Sequence, residues 1–292
     1  MNRIKGILYA AVSSSTFGLA PFFSITLLLA GFSAFEVLSY CWGVASIVLI
    51  VFGWLSGCNF RLAGKDWGVV FLLSLLRAVT SFSLIIAYQN IASGVASTIH
   101  FMYPLAVALA MMFFFREKKS LLVILAVLMS LLGAALLSLG ELEAKSGNTM
   151  VGLVAACVSV FSYAGYIVGV RTTRAVQINS TALTCYVMGL GTIFYLIGAY
   201  CTSGLQLVSD GYTWLIILGL ALPATAISNI TLVQAIKYAG PTLTSILGAM
   251  EPLTAVVIGV FVFKELFTVN SAVGIILILL AVSIVVFRRQ KS

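Results

Sequence analysis

The chain has 292 residues, of which 62% are apolar and 8% are charged. An average soluble domain is about 25% charged, so this composition excludes an ordinary water-soluble globule, and its apolar content excludes a disordered chain. The net charge of +8 comes from Lys and Arg residues scattered between long apolar runs, which favours a multi-span protein in a lipid bilayer over a nucleic-acid partner.

Apolar runs of about 20 residues, the length that crosses a bilayer, predict ten helical spans. The breaks between them fall at charges, Gly, Pro and Asn. The first run follows Arg3 and Lys5 like the start of a signal peptide, but its length predicts a retained span. The spans are Gly6–Leu29, Phe35–Leu55, Trp67–Ala87, Val95–Phe115, Leu121–Leu139, Thr149–Val170, Ala182–Cys201, Tyr212–Ala235, Thr242–Phe263 and Ala272–Phe287.

The charges between the spans predict the orientation of the chain. If the N-terminus is cytoplasmic, the outer side carries only Lys145 and Lys264, and Arg77 falls inside the third span. An excess of Lys and Arg marks cytoplasmic loops. We therefore expect both termini in the cytoplasm and the chain in the cytoplasmic (inner) membrane. The remaining basic residues lie on the cytoplasmic side: Arg3, Lys5, Arg61, Lys65, Arg116, Lys118, Lys119, Arg171, Arg174, Lys237, Arg288, Arg289 and Lys291.

An internal repeat relates the two halves of the chain. Pro104-Leu105 matches Pro252-Leu253 at an offset of 148 residues, and Trp67 matches Trp214 at an offset of 147. The repeat predicts two five-span domains, 1–145 and 146–292. Because five is odd, the second half should be inverted relative to the first, which is the architecture of many secondary transporters.

The ordered motifs resemble the drug/metabolite transporter superfamily, specifically its EamA-type members. The matching residues are Ser97, Pro104-Leu105 and Phe115-Arg116-Glu117 in the fourth span, their copies Ser245, Glu251-Pro252-Leu253 and Phe263-Lys264-Glu265 in the ninth, and the pairs Phe17-Gly18 and Tyr163-Ala164. The resemblance implies export of small organic metabolites such as amino acids, through a cavity between the halves. Many relatives have an Arg where this chain has Trp42.

Two charged residues near the middle of spans are the first candidates for a binding site. A central Arg such as Arg77 costs roughly 2.5–3.5 kcal/mol on insertion scales, and such residues are functional by default. Glu251 is the only carboxylate deep in a span. In one interpretation Arg77 binds a substrate carboxylate while Glu251 holds an ammonium group or a coupling proton. In the other, the two residues pair with each other and stabilise the bundle.

Further candidates lie on neighbouring spans. His100 is the only histidine and is either a packing residue or a proton carrier. Pro104 and Pro252 are expected to kink their helices. Tyr103, Tyr163, Trp42 and Phe17 could line a site for an amphipathic cargo, with Ser162 beside them, whereas Asn229 is placed near a span end in contact with solvent.

The sequence contains no motif for a catalytic site, a cofactor or a metal. The five cysteines are expected to be core residues rather than disulfide or metal ligands. We therefore predict an all-α inverted-repeat secondary transporter that works by alternating access and is sufficient as a monomer. The expected cargoes are small organic metabolites, namely amino acids or similar amphipathic or zwitterionic compounds. Proton coupling stays open. The alternative is an intramembrane enzyme acting on a lipid-linked or small-molecule substrate, which would need a longer soluble loop than this chain has.

Overall fold

The computed structural model describes residues 2–91, 93–117, 120–138, 147–202, 204–251, 253–254 and 269–288. Over these residues the chain forms helices and no β-strand, which confirms the predicted all-α fold. The α-helices are α1 (Asn2–Phe17), α2 (Ala20–Leu29), α3 (Ala34–Leu55), α4 (Trp67–Asn90), α5 (Ser93–His100), α6 (Tyr103–Phe114), α7 (Leu121–Ser138), α8 (Thr149–Thr172), α9 (Ser180–Cys201), α10 (Gly211–Ala221), α11 (Ser228–Ala239), α12 (Pro241–Leu247) and α13 (Val269–Arg288).

Seven described helical stretches are long and apolar enough to cross a membrane: Ile4–Leu29, Ala34–Leu55, Gly64–Asn90, Val95–Phe114, Thr149–Thr172, Ser180–Cys201 and Gly211–Ala239. Shorter apolar helices at Leu121–Gly133 and Ala272–Ala281 fall within the predicted fifth and tenth spans. The predicted ninth span begins within α12, and much of it, at residues 255–263, lies outside the described residues. The chain is therefore a multi-pass membrane protein.

Four of the predicted spans are not continuous α-helices, and one of them, the ninth, breaks at Gly248-Ala249 after α12. The first breaks at Gly18-Leu19 and the fourth at Phe101-Met102, and α2 and α6 each start with a proline, Pro21 and Pro104 respectively, in the first turn. The eighth contains a π-helix, Leu222–Ile227, between α10 and α11. Pro252 lies outside the described residues. Irregular backbone at membrane depth is tolerated where it is buried in protein or lines a cavity.

Short connections and helix caps set the ends of the spans. Gly31, between α2 and α3, and Gly240, between α11 and α12, have φ of +93° and +86°, which glycine adopts readily. At the start of α3, Ser33 and Glu36 form a reciprocal capping box. Before α10, the exposed Asp210 accepts a hydrogen bond from the Thr213 backbone N–H, which lowers the pKa of this carboxyl.

Contacts between the two halves follow a pseudo-two-fold pattern. The most extensive of them pair α4 with α8, α1 with α11, and α3 with α9, and α7 packs on α13 in the same way. When each span is replaced by its equivalent in the other half, the α4–α8 pair becomes the α11–α1 pair. The α3–α9 and α7–α13 pairs are each converted into themselves. This is the pattern expected of two repeats related by a two-fold axis. The boundary predicted at residues 145 and 146 lies outside the described residues and stays a prediction.

The outer surface of the helices is apolar, as a bilayer requires. Leu29, Phe114 and Leu121 are each at least 80% exposed, whereas many serine and threonine side chains are buried between helices, where small hydroxyl residues allow close packing. All five cysteines are free thiols. Cys41 and Cys185 are buried as predicted, but the prediction of a core position is wrong for Cys157 and Cys201, which are exposed.

Candidate binding site around Arg77

Arg77 lies in the middle of α4 with only 2% of its surface exposed. Its Nε donates to Oδ1 of Asn229 and its Nη1 to Oγ of Ser81, both at 2.9 Å. Both acceptors are neutral, so these bonds orient the guanidinium without cancelling its charge. They use two of the five N–H groups of a guanidinium. A buried cation held in this way is suited to bind an anion.

Three aromatic rings surround the guanidinium. The Cζ atom of Arg77 lies 5.1 Å from the ring centroid of Tyr163, 5.5 Å from that of Phe17 and 6.0 Å from that of Trp42. Cation–π contacts at such distances are worth about 0.5–2 kcal/mol each. They stabilise the charge without using N–H donors, so the remaining donors can serve a ligand.

Glu251 is bonded to a tyrosine from the other half of the chain. The hydroxyl of Tyr103 donates to Oε1 of Glu251 at 3.1 Å. The Tyr103 ring in turn packs edge-on against Tyr163, with centroids 4.6 Å apart. Arg77 and Glu251 therefore have separate hydrogen-bond partners and are linked through two tyrosine rings rather than by a direct ion pair.

His100 joins this group of side chains at the C-terminal end of α5. Its ring stacks on Tyr163 with centroids 5.3 Å apart, and its Nδ1 lies 2.8 Å from Oγ of Ser159. The Ser159 hydroxyl donates to the Ala156 carbonyl, so Nδ1 of the neutral imidazole is the donor to Ser159. Nε2 is then an acceptor, and this buried atom has no hydrogen-bond partner among the described residues.

Two glycines allow the broken helices to approach the site. A Cβ on Gly18 would lie 2.7 Å from the Glu251 carbonyl oxygen, and a Cβ on Gly248 would lie 1.8 Å from the Tyr103 hydroxyl oxygen. Any side chain at these positions would push Glu251 or Tyr103 away. The breaks in the first, fourth and ninth spans therefore meet at one place.

Seven of the residues predicted from the sequence belong to this connected group, which we call the Arg77 cluster: Phe17, Trp42, Arg77, His100, Tyr103, Tyr163 and Glu251. Ser162 lies beside it at the α4–α8 interface, where its hydroxyl is 3.0 Å from that of Thr80 and donates to the Val158 carbonyl. Pro104 lies in the first turn of α6, next to Tyr103. The cargo-binding roles of these residues stay predictions.

Sequence reasoning missed Asn229. It was expected near solvent, but it is fully buried, and its Nδ2 donates to the Thr225 carbonyl inside the π-helix while its Oδ1 accepts from Arg77. Cys41 also contacts this segment, with Sγ 3.0 Å from the Thr225 hydroxyl. Pro223, at the start of the π-helix, was the available signal that the eighth span is irregular here.

The described residues contain no group of three or more His, Cys, Asp or Glu side chains that could hold a metal ion. The side chains of the Arg77 cluster offer charge, hydrogen bonds and aromatic faces for recognition. A cation and a carboxylate, each in contact with tyrosine or tryptophan rings, are the groups that the site presents.

Comparisons with known proteins extend over nearly the whole chain. The profile of the EamA-like transporter family matches residues 4–139 and again residues 150–287. An uncharacterized transporter of Archaeoglobus fulgidus is 28% identical over 238 residues, which cover 80% of this chain and 83% of that protein. A solved crystal structure of another protein covers 100% of this chain and 99% of its own, with a TM-score of 0.80 and 18% identity, a likeness of fold.

Proposed function

The chain belongs to the EamA-like transporter family, as its motifs indicated, and we propose that it is a secondary transporter that exports small zwitterionic metabolites. Membership of this family and the apolar helices make it a multi-pass membrane transporter. The proposal adds the class of cargo, the direction and the mechanism. Amino acids and compounds of similar size and charge are the cargoes we expect.

The observation that carries the proposal is the separation of charges in the Arg77 cluster. Arg77 donates only to neutral side-chain oxygens, and Glu251 accepts from Tyr103. A cargo carboxylate would be held by the free N–H groups of Arg77, because a guanidinium binds carboxylates in a bidentate geometry. A cargo ammonium would be held by Glu251, and the rings of Tyr103 and Tyr163 between them suit the apolar part of the molecule.

Alternating access is supported by the position of the cluster between the halves. Phe17 and Tyr163 are matched residues of the two repeats, and their rings stack with centroids 6.4 Å apart. A site on the axis between two inverted halves can be reached from either side when one half tilts against the other. The breaks next to Phe17 and His100 supply points at which the helices can bend.

We further propose that the protein lies in the cytoplasmic membrane with both termini inside, as the loop charges indicate, and that one copy of the chain forms a complete transport unit. Proton coupling would act through the carboxylate of Glu251 or the imidazole of His100. An imposed pH gradient across proteoliposomes would then drive uphill transport, whereas a uniporter or exchanger would not respond.

The experiment that tests the cargo class is counterflow in proteoliposomes that contain the purified protein. A panel of labelled metabolites would include zwitterions, simple carboxylates, simple amines and uncharged compounds of the same size. We expect exchange of one or more zwitterions above the level of empty liposomes. Exchange confined to uncharged compounds would contradict the proposed roles of Arg77 and Glu251.

A further inference from the structure

A tyrosine near the start of α3 connects the first half of the chain to the second. The Tyr40 hydroxyl donates to the backbone carbonyl of Gln206, in the loop between α9 and α10. The Tyr40 ring also packs edge-on against Trp214, with centroids 6.0 Å apart and planes at 82°. We call these three residues the first clasp.

A second contact of the same kind joins the halves, with the tyrosine now in the second half and the loop in the first. The Tyr186 hydroxyl, near the start of α9, donates at 2.6 Å to the backbone carbonyl of Phe60, in the loop between α3 and α4. Its ring packs edge-on against Trp67, with centroids 5.4 Å apart and planes at 69°. Tyr186, Phe60 and Trp67 form the second clasp.

The two clasps are copies of each other under the internal repeat. Tyr40 and Tyr186 are 146 residues apart, as are Phe60 and Gln206, and the two tryptophans follow at an offset of 147. In each clasp a tyrosine from one half bonds the loop that the other half places before its third span. The repeat thus preserves both the bond and the ring packing, although the acceptor side chains differ.

The clasps lie at opposite ends of the transporter. Tyr40 is in the second turn of α3, whereas Phe60 follows the C-terminal end of the same helix. Because Phe60 contacts the start of α9 and Gln206, beyond the end of α9, contacts the start of α3, the two helices run antiparallel. One clasp therefore closes each end of the α3–α9 pair.

We infer that the two clasps are alternating locks, of which one must open whenever the adjacent face of the transporter opens. This inference rests on the alternating-access part of the proposed function. Opening a face separates the two halves there, and each clasp is a cross-half contact at one face only. Loss of one hydroxyl removes one hydrogen bond, which is worth about five-fold in an equilibrium. It should shift the balance toward the state in which that face is open.

The first clasp is reinforced by a carboxylate that the second lacks. Glu36, 1% exposed, accepts the Gln206 backbone N–H at 2.7 Å and the Ser33 backbone N–H at 2.8 Å. The equivalent position in the second half is Ala182, whose side chain has no acceptor. The face at the first clasp is therefore held closed more firmly, so the resting transporter opens preferentially at the face of the second clasp.

Hydrogen–deuterium exchange of the full chain in lipid nanodiscs tests this inference without any cargo. The reporters are the backbone amides of residues 204–210 and of residues 57–63. We expect Tyr40→Phe to raise exchange about five-fold at 204–210 and to lower it at 57–63. Tyr186→Phe should produce the reverse pattern. Glu36→Ala should act in the same direction as Tyr40→Phe and by a larger factor, on the order of ten-fold or more. The control is Tyr200→Phe, because Tyr200 is 88% exposed.

The change in hydrogen–deuterium exchange at the clasp that the substitution leaves intact tests the inference. If each variant changes exchange only at its own clasp, or at neither, the clasps are local tethers and the inference is wrong. Reciprocal exchange in a protein that transports no metabolite would overturn the proposed function and leave the alternating locks in place. Metabolite counterflow without reciprocal hydrogen–deuterium exchange would contradict the alternating locks and leave the proposed function in place. The two failures are therefore distinguishable.

Discussion

Tyr103 and Glu251 occupy equivalent positions in the two halves of the chain, 148 residues apart, and hydrogen-bond each other at 3.1 Å. Two residues related by a two-fold axis can touch only if both lie close to that axis. The stacked pair Phe17 and Tyr163 obeys the same rule at an offset of 146. The pseudo-symmetry axis of the transporter therefore passes through the Arg77 cluster, the position expected of a site that serves both faces.

Gly18 and Gly248 should be intolerant of a single added methyl group. Gly248→Ala would place its Cβ against the Tyr103 hydroxyl, and Gly18→Ala would press on the Glu251 carbonyl. Overpacking of this kind costs about 1–3 kcal/mol, which thermal unfolding in detergent would detect. The matched control is Gly68→Ala in α4, where nothing lies within 4 Å. We expect this control to be neutral or stabilising by up to about 1 kcal/mol, and equal effects at all three glycines would contradict the close packing.

Two substitutions of Asn229 should distinguish the hydrogen bond that orients Arg77 from the effect of the Arg77 charge. Asn229→Ala leaves the Arg77 Nε–H without its acceptor, so we expect a loss of about 1–3 kcal/mol of stability. Asn229→Asp loses the donor to the Thr225 carbonyl but keeps the acceptor for Arg77 and adds an ion pair with it, so we expect folding to be preserved. Its carboxylate would compete with a cargo carboxylate for the guanidinium. Transport by this second variant should fall while its thermal unfolding temperature does not. Asn59→Ala, at an exposed loop residue, is the control for both measurements.

Glu251→Gln should alter cargo binding with little change in the fold. The amide oxygen of glutamine can still accept from Tyr103, so the hydrogen bond across the axis is retained. The negative charge is lost, and with it the attraction for an ammonium group. We expect the counterflow KM for a zwitterion to rise about ten-fold or more, with little effect on a simple carboxylate. A parallel rise for both cargoes would indicate a structural role, and Asp66→Asn, immediately before α4, serves as the control.

Much of the fold could be predicted because membrane helices must be long, apolar and internally hydrogen-bonded. The second span was predicted as Phe35–Leu55 and is observed as Ala34–Leu55. Arg77 was a candidate for an equally physical reason, since a charge within an apolar run is costly and conspicuous. Trp42 was a candidate because an aromatic ring suits an amphipathic cargo, although many relatives have an Arg at that position.

The features that sequence reasoning missed depend on which sides of the helices pack against each other. The break at Gly18-Leu19 lies just before Pro21, and the π-helix at Leu222–Ile227 contains Pro223. A proline alone does not determine whether a helix bends, breaks or widens. The burial of Asn229 depends on the packing of α11 against α1 and on the Arg77 side chain that reaches it from α4. The tyrosine clasps are defined by hydrogen bonds and ring contacts between the halves, which residue types alone do not indicate.

The central claim is that Arg77 binds the carboxylate of the cargo, and its most direct test is counterflow of a zwitterion against the amide of the same compound. Wild-type protein should prefer the free carboxylate, and Arg77→Gln should lose this preference, with kcat/KM for the zwitterion falling about ten-fold or more. Arg61→Gln, at an exposed loop arginine, should behave as wild type. If folded Arg77→Gln protein keeps both the rate and the preference for the carboxylate, the claim is wrong.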